Sequence, residues 1–310
     1  MNRRDFVVGT GALVGASAIS ANVLAKSAAT DAAHGNAFQL NYAPHHGHFE
    51  HSAGKDIVDQ IRFAAEQGFK AWEFNGLPNV PVAEQIRIGK ALAKHDMQMG
   101  VYVSGMAKNF WSTKPVFSGN DQGARDAFLS LVKSQVEAAK RVNAKWTTVV
   151  PGFVDPRMPM GFQTANIIEL LHRVCDIFEK HDLTMVLEPL NTRVNHPDIF
   201  LTSVDQAYAL CTAVNRLQCK ILFDIYHEQI QSGNIINTID AAWDHTAYFQ
   251  VGDNPGRNEP TTGEINYKNI FAHIHKKGFD GIVGMEHGKS RTGLAGEKAL
   301  IEAYKKTDPV

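Results

Sequence analysis

Four short apolar runs in this chain each close on an oxygen-bearing side chain: TMVL on Glu188, ILF on Asp224, AYF on Gln250 and IVGM on Glu286. The intervals between the four are 36, 26 and 36 residues, and a parallel βαβ unit takes about 30. Residues recurring at that interval on consecutive parallel strands share one end of the sheet. If the sheet closes into a (β/α)8 barrel, that end is the C-terminal face, where strand-end residues of several units meet. Ordinary strand-end polarity is the competing reading. Against it, all four side chains offer an oxygen acceptor and all four follow runs of the buried type.

The rest of the chain fits the same plan. From residue 37 onward, strand-like runs alternate with amphipathic windows, which predicts an α/β fold with a parallel sheet. The runs are Phe38–Ala43, Ala71–Phe74, Met97–Val103, Thr147–Val150, Thr184–Glu188, Lys220–Asp224, Thr246–Gln250 and Gly281–Glu286. Between them the pattern predicts helices near 55–67, 82–95, 122–142, 164–181, from Ser203, 235–243, 267–277 and 294–305. Eight runs with eight helices favour a TIM barrel, single domain, over 37–310; such a barrel takes about 250 residues, so 310 need not mean two domains. No GxGxxG follows the first run, which removes the usual dinucleotide signal.

The N-terminus is of a different character. Asn2-Arg3-Arg4-Asp5-Phe6 precedes a Gly/Ala/Val stretch that ends Val23-Leu24-Ala25, the order of a charged region, an apolar region and a cleavage site. The paired arginines resemble a twin-arginine (Tat) export signal over 1–25, followed by a flexible leader over 26–36. This predicts a periplasmic or otherwise exported protein that meets the Tat machinery. The apolar stretch is short and rich in Gly and Ala, so no stable membrane anchor is expected. A formal net charge of −1 gives no bulk electrostatic case for nucleic acid. Cys175, Cys211 and Cys219 are the only cysteines; buried free thiols are the plain reading, with a Cys211–Cys219 disulfide left open.

Three carboxylates and one amide oxygen are hard ligands, suited to Mg²⁺ or Mn²⁺, while nearby histidines leave Co²⁺ or Zn²⁺ open. A cation among carboxylates favours proton transfer α to a carbonyl through an enediolate, with Glu188 and Glu286 each able to combine metal binding with proton transfer.

The segments NYAPH (41–45), LEPLNTR (187–193), DIYHEQIQSGN (224–234) and FQVGDNPGRNEPTTGEINY (249–267) resemble the hydroxypyruvate isomerase family, within the xylose isomerase-like TIM-barrel superfamily. The match covers about residues 37–305, and the 249–267 segment is its most specific part. The resemblance implies a metal held by Glu188, Asp224, Gln250 and Glu286, with Glu188 and Glu286 as the acid/base pair. It further implies His227 and Arg257 on substrate oxygens, and Glu73, which matches an acidic residue common in the family, is likewise expected at the substrate. Gln250 stands where epimerase relatives typically place histidine. Two departures bear on the substrate: Val194 where a polar residue is expected, and the export signal.

Other residues have blander readings. His45, His46, His48 and His51 lack the spacing of a zinc helix; His45, just past the first run, is the expected pocket contributor. Phe110, Trp111 and Phe117 fit either an apolar lid or loop packing. The expected activity is a metal-dependent isomerisation of a small hydroxy-keto acid or sugar. A ketose 3-epimerase, a dehydratase or lyase, and a non-catalytic sugar-binding barrel stay open as alternatives, as does a homo-oligomeric state.

Overall fold

The computed structural model describes residues 38–105, 110 and 115–310. The segments read as export signal and leader lie outside them, as does Trp111. Eight strands follow in order: β1 (Asn41–Pro44), β2 (Ala71–Trp72), β3 (Gln98–Met99), β4 (Trp146–Val149), β5 (Thr184–Leu187), β6 (Cys219–Asp224), β7 (Thr246–Gln250) and β8 (Ile282–Met285). Six of them pair in the order β1-β8-β7-β6-β5-β4, and β2 pairs with β3. Two parallel bridges link these sheets, His45 opposite Glu73 and Val103 opposite Thr148. The Glu73 N–H donates to the Pro44 carbonyl at 2.9 Å, and the Thr148 N–H to the Tyr102 carbonyl at 2.8 Å. The ring is a (β/α)8 barrel.

Eight main helices accompany the strands: α1 (Ile57–Glu66), α2 (Val82–Lys94), α3 (Gln122–Val142), α4 (Met160–Phe178), α5 (Val204–Val214), α6 (Ile235–Ala242), α7 (Tyr267–Lys276) and α8 (Gly293–Thr307). Their starts follow local chemistry. Asp56 accepts the Val58 N–H at 2.8 Å and Asp121 the Ala124 N–H at 3.0 Å, satisfying backbone donors that a first turn leaves open. Helix α5 departs from the expected Ser203 cap: the carboxylate of Glu228 accepts the Val204 N–H at 3.1 Å instead. Glu228 lies on a short helix, Ile225–Gln231, that leaves β6 directly. Among the described residues, no helix is long and apolar enough to cross a membrane.

Strand alternation sorts the side chains into two cores. Ala43, Ala71, Val101, Val186, Leu222, Tyr248 and Ile282 fill the barrel. Their neighbours Tyr42, Trp72, Leu187, Phe223, Phe249 and Val283 face the helices. The run predicted over 97–103 pairs as a strand only at Gln98–Met99. Just beyond it the Val101 N–H donates to the Tyr248 hydroxyl oxygen at 3.3 Å, and a Cβ on Gly100 would lie 2.4 Å from that hydroxyl. Cys211 and Cys219 are buried free thiols with sulfurs 3.8 Å apart, and Cys175 is also buried and free.

Candidate active site

The period of two that puts Val186, Leu222, Tyr248 and Ile282 inside the barrel carries the same parity to Glu188, Asp224, Gln250 and Glu286. Each therefore emerges at the C-terminal mouth rather than toward the helices. Glu188, Asp224 and Gln250 are buried. Ligand atoms of Glu188, Asp224 and His227 lie within 4.8 Å of one another. Arg257 joins the group to Glu286: its Nη2 donates to Glu286 Oε2 at 2.7 Å and to Asp224 Oδ2 at 3.2 Å, and its guanidinium lies 4.8 Å from the Tyr226 ring centre. The other Glu286 oxygen accepts from Asn75 Nδ2 at 2.7 Å.

The site's electrostatics follow from burying several acids together. Burial, reinforced by the charges of Glu286 and Asp224, holds the Glu188 carboxyl well above the usual carboxylate range. Burial raises Asp224 too, against the opposing pull of Arg257 and of the Tyr226 and His227 N–H groups that its Oδ1 accepts. Glu73 is pushed up to about 8 by burial and by Glu286.

The tautomers of two histidines are fixed by donors and acceptors that cannot change roles. His227 Nδ1 accepts the Asn191 backbone N–H at 3.2 Å, so its neutral ring carries the proton on Nε2. Burial keeps that ring neutral, far below its ordinary range. His227 thus presents an Nε2–H donor to the mouth, suited to a substrate oxygen rather than to a cation. His45 is the reverse: Nδ1–H donates to the His46 carbonyl at 3.1 Å, leaving Nε2 as an acceptor. The remaining histidines of that cluster diverge, His46 to the Phe74 ring, His48 to the His287 carbonyl and His51 to Glu297.

Arg257 is delivered by a loop whose hub is the buried carboxylate of Asp253. It accepts the backbone N–H groups of Asn254, Thr262, Gly263 and Ile265 at 2.8–3.1 Å. Arg257 itself sits at φ 49°, a conformation a non-glycine residue keeps only where its surroundings impose it. The 2.8 Å bond from its N–H to the Asp253 carbonyl does so. Glu264 pins the same loop by accepting from Asn254 Nδ2 at 2.6 Å.

Beside the acids is a cavity of about 140 Å³, roughly the space of five waters. Its polar wall is Asn75, Glu188, His196, His227, Arg257 and Glu286, and its apolar wall Val103, Val150 and Leu190. Glu73 and His45, both expected at the substrate, do not line it. Both Glu73 oxygens are engaged below the mouth, accepting from Tyr248 Oη at 2.7 Å and Gln250 Nε2 at 3.0 Å. Phe117, one of the three lid candidates, packs on Phe128 with ring centres 4.8 Å apart. Asn75 and His196 were not singled out in the sequence. Asn75 shares the inward parity of Ala71 and Glu73, a usable signal, whereas His196 lies in the loop after β5 and carries none.

A divalent cation fits these residues. Buried polar atoms rarely lack partners, yet the acceptor oxygen Gln250 Oε1 is buried here without a hydrogen-bond partner among the described residues. Three neighbouring carboxylates with one amide oxygen form a hard-oxygen donor set.

Comparison with known proteins decides the family. The model described as xylose isomerase-like TIM barrel matches residues 61–307. The chain belongs to that family. Among relatives similar to this xylose isomerase-like barrel is hydroxypyruvate isomerase of Escherichia coli K12, 28% identical over 245 residues, 78% of this chain and 91% of the relative. Another is 2-oxo-tetronate isomerase of Pectobacterium atrosepticum, 26% identical over 252 residues, 79% of this chain and 93% of the relative. Among solved structures, an AP endonuclease, family 2, from Brucella melitensis superposes with a TM-score of 0.72 at 23% identity, covering 83% of this chain and 96% of that one. At that identity the likeness speaks for the fold alone.

Proposed function

We propose that this barrel is a divalent-metal-dependent isomerase of a small hydroxy-keto acid, moving a carbonyl between adjacent carbons through an enediolate. The observation that carries the reading is the convergence of Glu188, Asp224, the orphaned Gln250 oxygen and Glu286 at one barrel mouth, beside a cavity of about 140 Å³. The names of the two bacterial relatives support the substrate class, since both describe isomerases of small oxidised carbon chains.

The chain's own residues divide the work. Glu188, Asp224, Gln250 and Glu286 would hold Mg²⁺ or Mn²⁺, with Co²⁺ or Zn²⁺ as further candidates. Such a cation supplies polarisation of the substrate carbonyl and relief of the charge that develops on its oxygen. One carboxylate of the Glu188/Glu286 pair takes the proton from the hydroxyl-bearing carbon. The pair of electrons left behind forms the enediolate double bond, the other carboxyl returns a proton to the former carbonyl carbon, and the hydroxyl proton passes to the former carbonyl oxygen as the new carbonyl forms, so the isomer has the same atoms as the substrate. His227 Nε2–H and the Arg257 guanidinium donate to substrate oxygens. Leu190, Val103 and Val150 keep one wall dry.

Hydroxypyruvate and 2-oxo-tetronate, offered with each metal in turn, test the reading. Conversion to the isomer, lost on chelation, is the expected result; no conversion with any of the four metals overturns it. We propose export of the mature chain by the same token: mass analysis of periplasmic protein should show a start after Ala25, and an intact Met1 there would refute it.

A further inference from the structure

Inside the barrel, below the mouth, the chain buries a carboxylate among the inward-facing apolar side chains. Glu73 has no exposure, and two glycines make its room. A Cβ on Gly284 would fall 2.0 Å from Glu73 Oε2, and one on Gly100 would fall 2.4 Å from the hydroxyl of its partner Tyr248. Glycine weakens a strand interior and marks a close approach by another group, and a buried carboxylate is unfavourable unless its oxygens are bonded. Both features call for a reason beyond packing.

The hydrogen bonds supply one. A carboxamide has two ends of nearly the same shape, and only its oxygen can bind a cation. Tyr248 Oη donates to one Glu73 oxygen, and the other accepts at 3.0 Å from the Gln250 NH₂ group, which is therefore the end that faces Glu73. The Gln250 oxygen is thereby turned away, and it is this oxygen that is buried with no partner. Tyr248, two residues earlier on β7 and so on the same face, donates to the other Glu73 oxygen at 2.7 Å and fixes the carboxylate in turn.

We propose that Glu73 is a positioning residue that, braced by Tyr248, locks the Gln250 carboxamide with its oxygen toward the metal site. The inference rests on the metal reading above. Glu73 selects one of two amide orientations before any cation arrives; without it, the NH₂ end is free to turn into the site and oppose a cation. Outer partners of metal ligands set affinity by about 10–100-fold.

The test is Mn²⁺ affinity of the full chain by competition with a fluorescent chelator, which needs no turnover. Glu73→Met keeps the volume and removes the oxygens, and a 10–100-fold weaker Kd is expected. Glu73→Gln removes the charge but keeps a carbonyl that can accept the Gln250 NH₂, while the Tyr248 hydroxyl turns to accept from the new amide; its Kd should stay within about threefold of the parent. In a Gln250→Glu background the ligand has oxygen at both ends, so Glu73→Met should no longer weaken binding.

Equal weakening by Glu73→Met in both backgrounds, or a Glu73→Gln loss as large as that of Glu73→Met, would show that the charge matters and not the orientation, and would overturn the proposal. An unchanged Kd in Glu73→Met would do the same. If Glu73→Met does not fold, a Glu73→Gln Kd weaker by about tenfold or more still overturns the proposal. No Mn²⁺ binding by the parent protein would instead overturn the metal reading, so the two failures are separable.

Discussion

Replacing Arg257 by Met should destabilise the metal-free protein, and by an amount that grows with pH. The guanidinium is the positive group that bridges Asp224 and Glu286, at 3.2 and 2.7 Å. Methionine keeps much of the stem over Tyr226 and is no worse suited to the left-handed backbone at this position. The change therefore isolates the charge. Breaking a buried pair by removing one partner costs about 3–5 kcal/mol. Here the Arg257 and Glu286 side chains retain 27% and 25% exposure while Asp224 is sealed at 1%, which selects the lower end, about 3 kcal/mol. At roughly 2 °C per kcal/mol for a chain of this size, the melting temperature should fall by about 6 °C.

The pH dependence follows from the acids left behind. Glu188 and Asp224 already have carboxyls raised above their unfolded values, chiefly by burial. The native state then holds protons that the unfolded state has released, so these groups lower stability as pH rises from the unfolded pKa through the folded one. Removing the nearby cation raises both further. The deficit of Arg257→Met should thus be largest near pH 8 and shrink toward pH 4, where the folded-state carboxyls are protonated and about half of the unfolded ones are. Calorimetric melts in chelator at the two pH values measure it, and added Mn²⁺ should raise the variant's melting temperature more than the parent's. A variant as stable as the parent at pH 8 without metal would refute the reasoning.

Other perturbations probe separate parts of the site. Glu286→Gln should abolish isomerisation while Mn²⁺ remains at least partly bound; full activity would remove Glu286 from the acid/base pair. Asp224→Asn should reduce the metal found by elemental analysis, and unchanged content would remove Asp224 from the ligand set. Glu228, pushed up to about 7 by burial, should lower stability as pH rises from about 4.5 to about 7, by an amount on the order of 2–3 kcal/mol. Glu228→Gln can still accept the Val204 N–H and has no such penalty, so it should gain on the parent between pH 5 and pH 8; equal gaps at both would contradict this.

The barrel was legible in the sequence because it is built from periods. Helix α3 occupies the predicted 122–142, and a period of two carried Glu188, Asp224, Gln250 and Glu286 to the same end as the inner core. What the sequence hid depends on partners far apart in the chain. The Val101 N–H, just past β3, is taken by the hydroxyl of Tyr248, about 150 residues later. The Glu228 cap on α5 comes from the following strand–helix unit, while Ser203, whose type suits a cap, leaves the first backbone donor to it. Glu73, by its match to an acidic residue of the resembled family, is expected at the substrate; only the positions of Tyr248 and Gln250 show its oxygens to be engaged inside the barrel. Asp253 reads as one loop acid among several, and its four backbone partners appear only when the loop is folded around it.

The most direct test of the central claim is proton exchange followed by NMR in D₂O, with Mn²⁺- or Mg²⁺-loaded protein and hydroxypyruvate. Deuterium entering the carbon next to the carbonyl, lost on chelation and absent in Glu286→Gln, is the predicted result. A metal-loaded protein that leaves every such proton in place, with hydroxypyruvate and with 2-oxo-tetronate alike, would contradict enediolate chemistry at this barrel mouth.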